Sequence, residues 1–92
     1  MGRDGDSSGV KREERCVVVL ETIHYVIKGE KILKKAGIGI DVIPVPREIS
    51  SDCGMAIEFS CLDRDGVEQL LSQKGVTVLG LYLLKKGQYA RL

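Results

Sequence analysis

The chain has 92 residues, of which 43% are hydrophobic and 29% are charged, and its formal net charge is +1. A chain of this length buries roughly 60–65% of its unfolded surface, which supports one domain with a single two-layer core. The near-neutral charge, together with only three tyrosines and one phenylalanine, excludes the basic, ring-rich surface that nucleic acids or anionic membranes require.

Residues 1–14 predict a disordered N-terminal tail, because glycine, serine and alternating charge cannot bury apolar surface. The tail lacks the apolar centre of a secretory signal, and no later run approaches the ~20 apolar residues of a membrane helix. We therefore expect a cytoplasmic protein without membrane contact. Its three cysteines should be reduced there, and with a single histidine their spacing matches no metal site. No metal or cofactor is expected.

The first half of the folded segment predicts a strand, a helix and a second strand. The continuous β-branched run at 16–20 is typical of a central strand that is buried on both faces. A helical apolar stripe follows, with Thr22 as its N-cap and Gly37 as its C-terminal stop. Gly29 inside this helix predicts a close approach to the sheet. The alternating, isoleucine-rich segment 38–45 predicts the second strand.

The second half predicts two more strands around a second helix. Residues 55–61 alternate between apolar and polar side chains and predict a third strand. Asp63 is the expected cap of the second helix, and Gly75 its stop. Residues 76–84 predict a fourth strand, and the polar residues 85–92 a loose C-terminal end.

The order β-α-β-β-α-β over residues 15–84 predicts an α+β, ferredoxin-like two-layer sandwich. Its four-stranded antiparallel sheet carries two helices on one face. In this topology the end of the first strand, the start of the first helix and the loop after the second strand share one edge. We therefore expect Cys53 to lie close to Thr22 and His24. An exposed strand, the second or the fourth, would be free to pair two copies into a homodimer.

The loop between the second and third strands, residues 43–54, is too long and too polar for a tight hairpin turn. Cys53 in this loop should be reachable, and Gly54 beside it permits an unusual backbone angle and close approach by a partner. Arg47 and the amino end of the first helix would favour the thiolate, the form that accepts a persulfide. The alternative is that Cys53 is an inert residue of a turn.

The other polar residues here also have two interpretations each. His24 either pairs with Cys53 or, as we favour, is a solvated histidine on the helix surface. Arg47 either pairs with a neighbouring carboxylate or binds an anionic group of a substrate or partner. Ser50 and Ser51 either make hydrogen bonds within a turn or contact an anion, and the turn role is preferred.

Cys16 and Cys61 are expected to serve as small core residues at the edge of the sandwich away from the loop. They end neighbouring antiparallel strands, so the topology permits the two thiols to lie close together. In either case they are too far from Cys53 to act as its resolving partner.

The run Pro-Val-Pro-Arg-Glu-Ile-Ser-Ser-Asp-Cys-Gly resembles the signature of a family of small bacterial selenium/sulfur carrier protein-like domains. The resemblance covers residues 15–84, since the Thr-Ile-His-Tyr-Val-Ile-Lys-Gly-Glu-Lys-Ile-Leu-Lys-Lys-Ala-Gly segment is similar to the family's first helix. The positions that match the signature are Pro46, Arg47, Ser50, Ser51, Cys53 and Gly54.

This resemblance implies a carrier without turnover of its own. Cys53 would accept selenium or sulfur from a cysteine desulfurase-type donor and pass it to an acceptor protein. The alternative is a non-catalytic regulatory module that binds a small anion or a partner protein through the 43–54 loop. An enzyme is the weakest interpretation, because no acid/base pair or set of metal ligands accompanies the thiol.

Overall fold

The computed structural model describes residues 14–49 and 54–92. Its five strands form one antiparallel sheet in the order β2-β3-β1-β4-β5. The α+β class is therefore confirmed. The elements are β1 (Arg15–Leu20), α1 (Ile23–Lys35), β2 (Ile40–Pro44), β3 (Met55–Ser60), a 3-10 turn (Cys61–Asp63), α2 (Arg64–Gln73), β4 (Val78–Lys85) and β5 (Gln88–Arg91).

The prediction of a four-stranded sheet with a loose C-terminal end is wrong. β5 pairs with β4 from Lys85 opposite Gln88 to Tyr82 opposite Arg91. The two residues between these strands, Lys86 and Gly87, have φ angles of 53° and 78°. Positive φ at both positions is the geometry of a tight hairpin turn whose twist matches the strands. The dipeptide Lys-Gly is a weaker signal for this turn than Asn-Gly, so the hairpin was not predicted.

The core lies between the two helices and one face of the sheet. Cys16, Val18 and Leu20 of β1 alternate towards this face, and Ile57 and Phe59 of β3 join them. The helices contribute one apolar stripe each, which places both on the same face, as the topology predicted. These stripe residues are Val26 and Leu33 of α1 and Val67 and Leu71 of α2.

The face of the sheet opposite the helices, called the open face below, is also partly covered. Val17 of β1 and Ala56 of β3 point to this side and are both 0% exposed. The prediction that β1 is buried on both faces is therefore confirmed. Arg15 lies on the same face, with its Nη2 3.3 Å from Asp41 Oδ2 and its Nε 3.7 Å from Glu58 Oε1.

Both helices end where their glycines were expected to stop them. Gly37 and Gly75 have φ angles of 83° and 73°, in the left-handed region that favours glycine. In α1 the N–H of Ile38 donates to the carbonyl of Leu33 at 3.0 Å, and in α2 the N–H of Val76 donates to that of Leu71 at 2.9 Å. These bonds satisfy carbonyls that a helix end leaves without partners.

The start of α2 differs in detail from its prediction. Asp63 occupies the N-cap position, but its side chain makes no capping hydrogen bond. The Ser60 hydroxyl instead accepts from the N–H of Leu62 at 3.2 Å and caps a 3-10 turn, so that β3 ends one residue earlier than predicted. Cys61 therefore belongs to this turn and not to β3.

Gly29 allows α1 to approach the sheet and α2 closely, as its position within the helix predicted. A Cβ atom on this residue would lie 3.2 Å from Ile57 Cδ1 and 3.4 Å from Leu71 Cδ2. Leu20 Cδ1 would be the next atom, at 3.5 Å. Such separations are near or below ordinary carbon–carbon contact, so glycine fills a site that a larger side chain would overpack.

The sheet has β2 and β5 as its outer strands. The predicted free edge at the fourth strand is covered by β5 from Tyr82 to Lys85, whereas β2 is an outer strand as predicted. Among the helices in residues 14–49 and 54–92, none is long and apolar enough to cross a membrane.

Candidate functional site

The described ends of the 43–54 loop lie at the edge of the sandwich where α1 begins. Ala56 of β3 is opposite both Val19 of β1 and Ile43 of β2. The carboxyl ends of β1 and β2 are therefore level, and α1 starts at Ile23, three residues beyond the end of β1. This arrangement was expected from the topology, and we call it the loop edge.

Two backbone hydrogen bonds anchor the loop. Beyond the last strand pair, the N–H of Val45 donates to the carbonyl of Gly54 at 3.0 Å. The N–H of Ile49 donates to the carbonyl of Pro46, also at 3.0 Å, which closes a turn over residues 46–49. The first bond fixes the two chain ends of the loop, and the second fixes the direction in which the loop leaves β2.

Arg47 lies in this turn with its side chain exposed, and Pro46, which precedes it, is half-buried. The remaining loop positions of the predicted site, Ser50, Ser51 and Cys53, lie outside the described residues. The structure therefore brings the two ends of the loop to the amino end of α1. The predicted distance between the Cys53 thiol and Thr22 or His24 stays a prediction.

The space around Gly54 does not require a glycine. Its φ angle is not among the positive values, which belong to Gly37, Gly75 and Gly87 among the described glycines. A Cβ on Gly54 would lie 3.7 Å from Val45 Cγ2, an ordinary van der Waals contact. The described part of the protein therefore gives no steric reason for glycine here, in contrast to Gly29.

The amino end of α1 presents a partial positive charge at the loop edge. Thr22 caps the helix as predicted, with its Oγ1 accepting a hydrogen bond from the N–H of Tyr25 at 3.3 Å. No acidic side chain lies in the first turn, while Lys34 and Lys35 lie in the last. The helix dipole is equivalent to roughly half a positive charge at this end, which favours a nearby anion. His24 is exposed on the same turn.

One residue whose pKa responds to a loop carboxylate was missed because the C-terminal segment was expected to be loose. Tyr89 of β5 pairs with Leu84, which in turn pairs with Arg15, so it belongs to the open face. Burial raises the pKa of Tyr89, and the negative charges of Glu58 and Glu48 raise it further. The carboxylate of Glu48 in the loop turn is therefore within electrostatic reach of a tyrosine on the open face.

Cys16 and Cys61 lie at the opposite end of β1, with their Sγ atoms 2.9 Å apart. Either thiol can donate the hydrogen bond between them. Cys16 is 1% exposed and belongs to the core, whereas Cys61 is partly buried and packs against it. The predictions that both serve packing and that they lie away from the loop are confirmed.

The surroundings of Cys16 strongly favour its neutral thiol. Burial raises the pKa of Cys16 to about 12, and the hydrogen bond to Cys61 and the charge of that neighbour act in the same direction. Of the charged groups on α2, Glu68 also raises the pKa and Arg64 opposes it. Cys16 is therefore a poor nucleophile at neutral pH.

This pKa predicts a loss of stability in alkali. The neutral Cys16 thiol stabilises the fold fully below the unfolded pKa of 9.0, and this contribution is lost as pH rises towards about 12. The slope reaches at most about 1.4 kcal/mol per pH unit. Urea unfolding under reducing conditions, followed by circular dichroism across this range, measures it. The stability advantage of wild type over Cys16→Ala should shrink as pH rises, and parallel pH profiles for the two proteins would contradict the prediction.

The comparisons with known proteins identify the family. A family model described as "Putative Se/S carrier protein-like" matches residues 15–83, from the start of β1 to near the end of β4. The chain belongs to this family, and the resemblance inferred from the sequence is confirmed at that level. No curated protein and no solved structure matches the chain.

Proposed function

We propose that the protein is a carrier that holds one sulfur or selenium atom on Cys53 and passes it to an acceptor protein. The observation that carries this proposal is the family match across residues 15–83. The structure supports the choice of cysteine by elimination, because Cys16 and Cys61 lie against each other at the far end of β1. The reducing cytoplasm is the compartment that would keep the Cys53 thiol free.

The loading step needs no net oxidation. The Cys53 thiolate attacks the outer sulfur of a persulfide on a cysteine desulfurase-type donor. The new sulfur–sulfur bond forms on Cys53 while the donor's sulfur–sulfur bond breaks, and the electron pair leaves with the donor thiolate. An acceptor thiolate then removes the outer atom in the same way. A selenium atom would follow the same route through a selenosulfide.

The positive charges at the loop edge would stabilise an anionic terminal sulfur or selenium atom. The α1 dipole and the exposed cation of Arg47 would favour its negative charge. Thr22 caps the helix that provides the dipole, and His24 lies on its first turn. In this proposal Pro46, Ser50, Ser51 and Gly54 shape the loop, and the protein turns over no substrate of its own.

Intact mass spectrometry tests the loading step. Wild-type protein is incubated with a cysteine desulfurase and cysteine, or with a selenocysteine-cleaving donor and selenocysteine. We expect a mass increase of about 32 Da for sulfur or about 79 Da for selenium, removable by a dithiol reductant. Cys53→Ser should lose the adduct. Cys61→Ala, the matched control at a partly buried cysteine, should keep it.

A second function is a non-catalytic module that binds a small anion or a partner protein at the loop edge. The observation that favours it is the exposed Arg47 in a turn anchored beside the amino end of α1. The two functions differ in their dependence on the thiol. If neither donor loads Cys53, or if Cys53→Ser is loaded as well as wild type, the carrier proposal fails. Thiosulfate binding that survives in Cys53→Ser and is lost in Arg47→Ala would then support the module.

A further inference from the structure

The fold holds the thiols of Cys16 and Cys61 in contact, away from the 43–54 loop. Their Sγ atoms are 2.9 Å apart, which is only about 0.9 Å longer than a disulfide bond. Two neutral sulfur atoms without a hydrogen bond would stay farther apart. The two sulfur atoms are therefore already in contact, and a disulfide would shorten their separation by about 0.9 Å.

The two thiols differ in their solvent exposure. Cys61 begins the 3-10 turn after β3 and is partly exposed, whereas Cys16 is 1% exposed within β1. A small oxidant therefore reaches Cys61 first. Cys16 lies behind it in the core, with its sulfur in contact with that of Cys61.

We infer that Cys16 and Cys61 form a reversible disulfide and act as a redox modification site for hydroperoxides. The Cys61 thiolate attacks the peroxide O–O bond, which breaks to give a sulfenic acid on Cys61 and water or an alcohol. The neutral Cys16 thiol, held against Cys61, then attacks the sulfenic sulfur, and the S–S bond forms as the S–O bond breaks, with the hydroxyl group and the Cys16 proton leaving as water. Two thiols are oxidised by two electrons in total, and one peroxide is reduced by two.

The disulfide would join β1 to the turn that leads into α2. Cys16 is opposite Phe59 in the sheet, at the end of β1 away from Val19 and the loop edge. The inference is independent of the proposed carrier function, because it involves neither Cys53 nor the 43–54 loop. Disulfides inside cells are usually transient and redox-sensing, and this pair fits that use.

The test uses Cys53→Ser, which removes the loop thiol and leaves both members of the pair unchanged. The folded variant is treated with equimolar hydrogen peroxide, then denatured and alkylated. We expect a mass about 2 Da lower for the two hydrogens lost, no alkylation, and recovery of two alkylatable thiols after a dithiol reductant. Digestion should yield one linked peptide pair that contains Cys16 and Cys61.

The rate of disulfide formation gives a second measurement, because only a pair held together by the fold should react faster in the folded protein. Once Cys61 has become a sulfenic acid, the disulfide should close about tenfold or more faster in the folded variant than in concentrated urea, because the fold holds the sulfurs together. In Cys53→Ser/Cys61→Ala, shown to be folded by circular dichroism, the 2 Da loss should be absent. Two thiols still alkylatable after treatment, equal rates in urea, or a covalent dimer would each overturn the inference. A wild-type linkage that includes Cys53 would do the same.

Discussion

Replacing Phe59 with alanine should lower the free energy of unfolding by about 3–5 kcal/mol. Phe59 is the only phenylalanine of the chain and is 0% exposed. It lies in β3 between Cys16 of β1 and Ile40 of β2. Its ring belongs to the cluster in which both helices meet the sheet. The loss has two parts: the burial free energy of the ring atoms that are removed, and the cost of the cavity that the surrounding side chains do not fill.

Urea unfolding followed by far-ultraviolet circular dichroism measures this loss. A domain of this size has a total stability of roughly 5–14 kcal/mol, so Phe59→Ala should be partly unfolded or close to it at physiological temperature. The matched control is Leu62→Ala, which removes a large apolar side chain that is 62% exposed. The control should stay within about 0.5 kcal/mol of wild type. Equal losses in both variants would show that the helix-facing core does not dominate the stability.

Gly29→Val should destabilise the protein by about 1–3 kcal/mol. Its Cβ would already lie 3.2 Å from Ile57 Cδ1, and the two methyl groups of valine would extend further into the same space. Ile57 and Leu71, the two nearest neighbours, are both 0% exposed, so neither side chain can move into solvent. The helix propensity gained by removing a glycine is only a few tenths of a kcal/mol and does not offset this overpacking.

Gly66→Val is the matched control, because it makes the same change in the other helix. A Cβ on Gly66 would meet only Ile38 Cδ1, at 3.9 Å. Its stability should therefore stay within about 0.5 kcal/mol of wild type in the same unfolding experiment. If Gly29→Val is as stable as this control, α1 tolerates a larger separation from β3 than the structure indicates.

The parts of the fold that follow periodic patterns were predictable from the sequence. The N-cap at Thr22 and the stops at Gly37 and Gly75 follow from local hydrogen bonding and backbone angles, which depend on few residues. β5 was not predicted, since a short polar strand gains its stability by pairing with β4 and not from its own composition. The early end of β3 was missed for a similar reason, as the Ser60 hydroxyl competes locally with the strand.

The candidate site was predictable in its location but less so in its details. Strand directions alone place both ends of the 43–54 loop beside the amino end of α1, and the register agrees. The effect of Glu48 on Tyr89 depends on a strand that the sequence did not reveal. The expectation that Gly54 provides unusual backbone freedom came from residue type, and the contacts around it do not require glycine.

The C-terminal hairpin also changes which backbone groups the sheet leaves free at its edge. β4 carries the apolar run Val-Leu-Gly-Leu-Tyr-Leu-Leu, and as an outer strand it would offer its unpaired N–H and C=O groups to any other chain. β5 takes up those groups over Tyr82 to Lys85 and makes the outer strand on this side short, with the sequence Gln-Tyr-Ala-Arg. The guanidinium carbon of Arg91 lies 5.8 Å from the centre of the Tyr82 ring and brings a positive charge to this rim. The β5 segment thus closes the second half of β4 to edge-to-edge pairing with another chain.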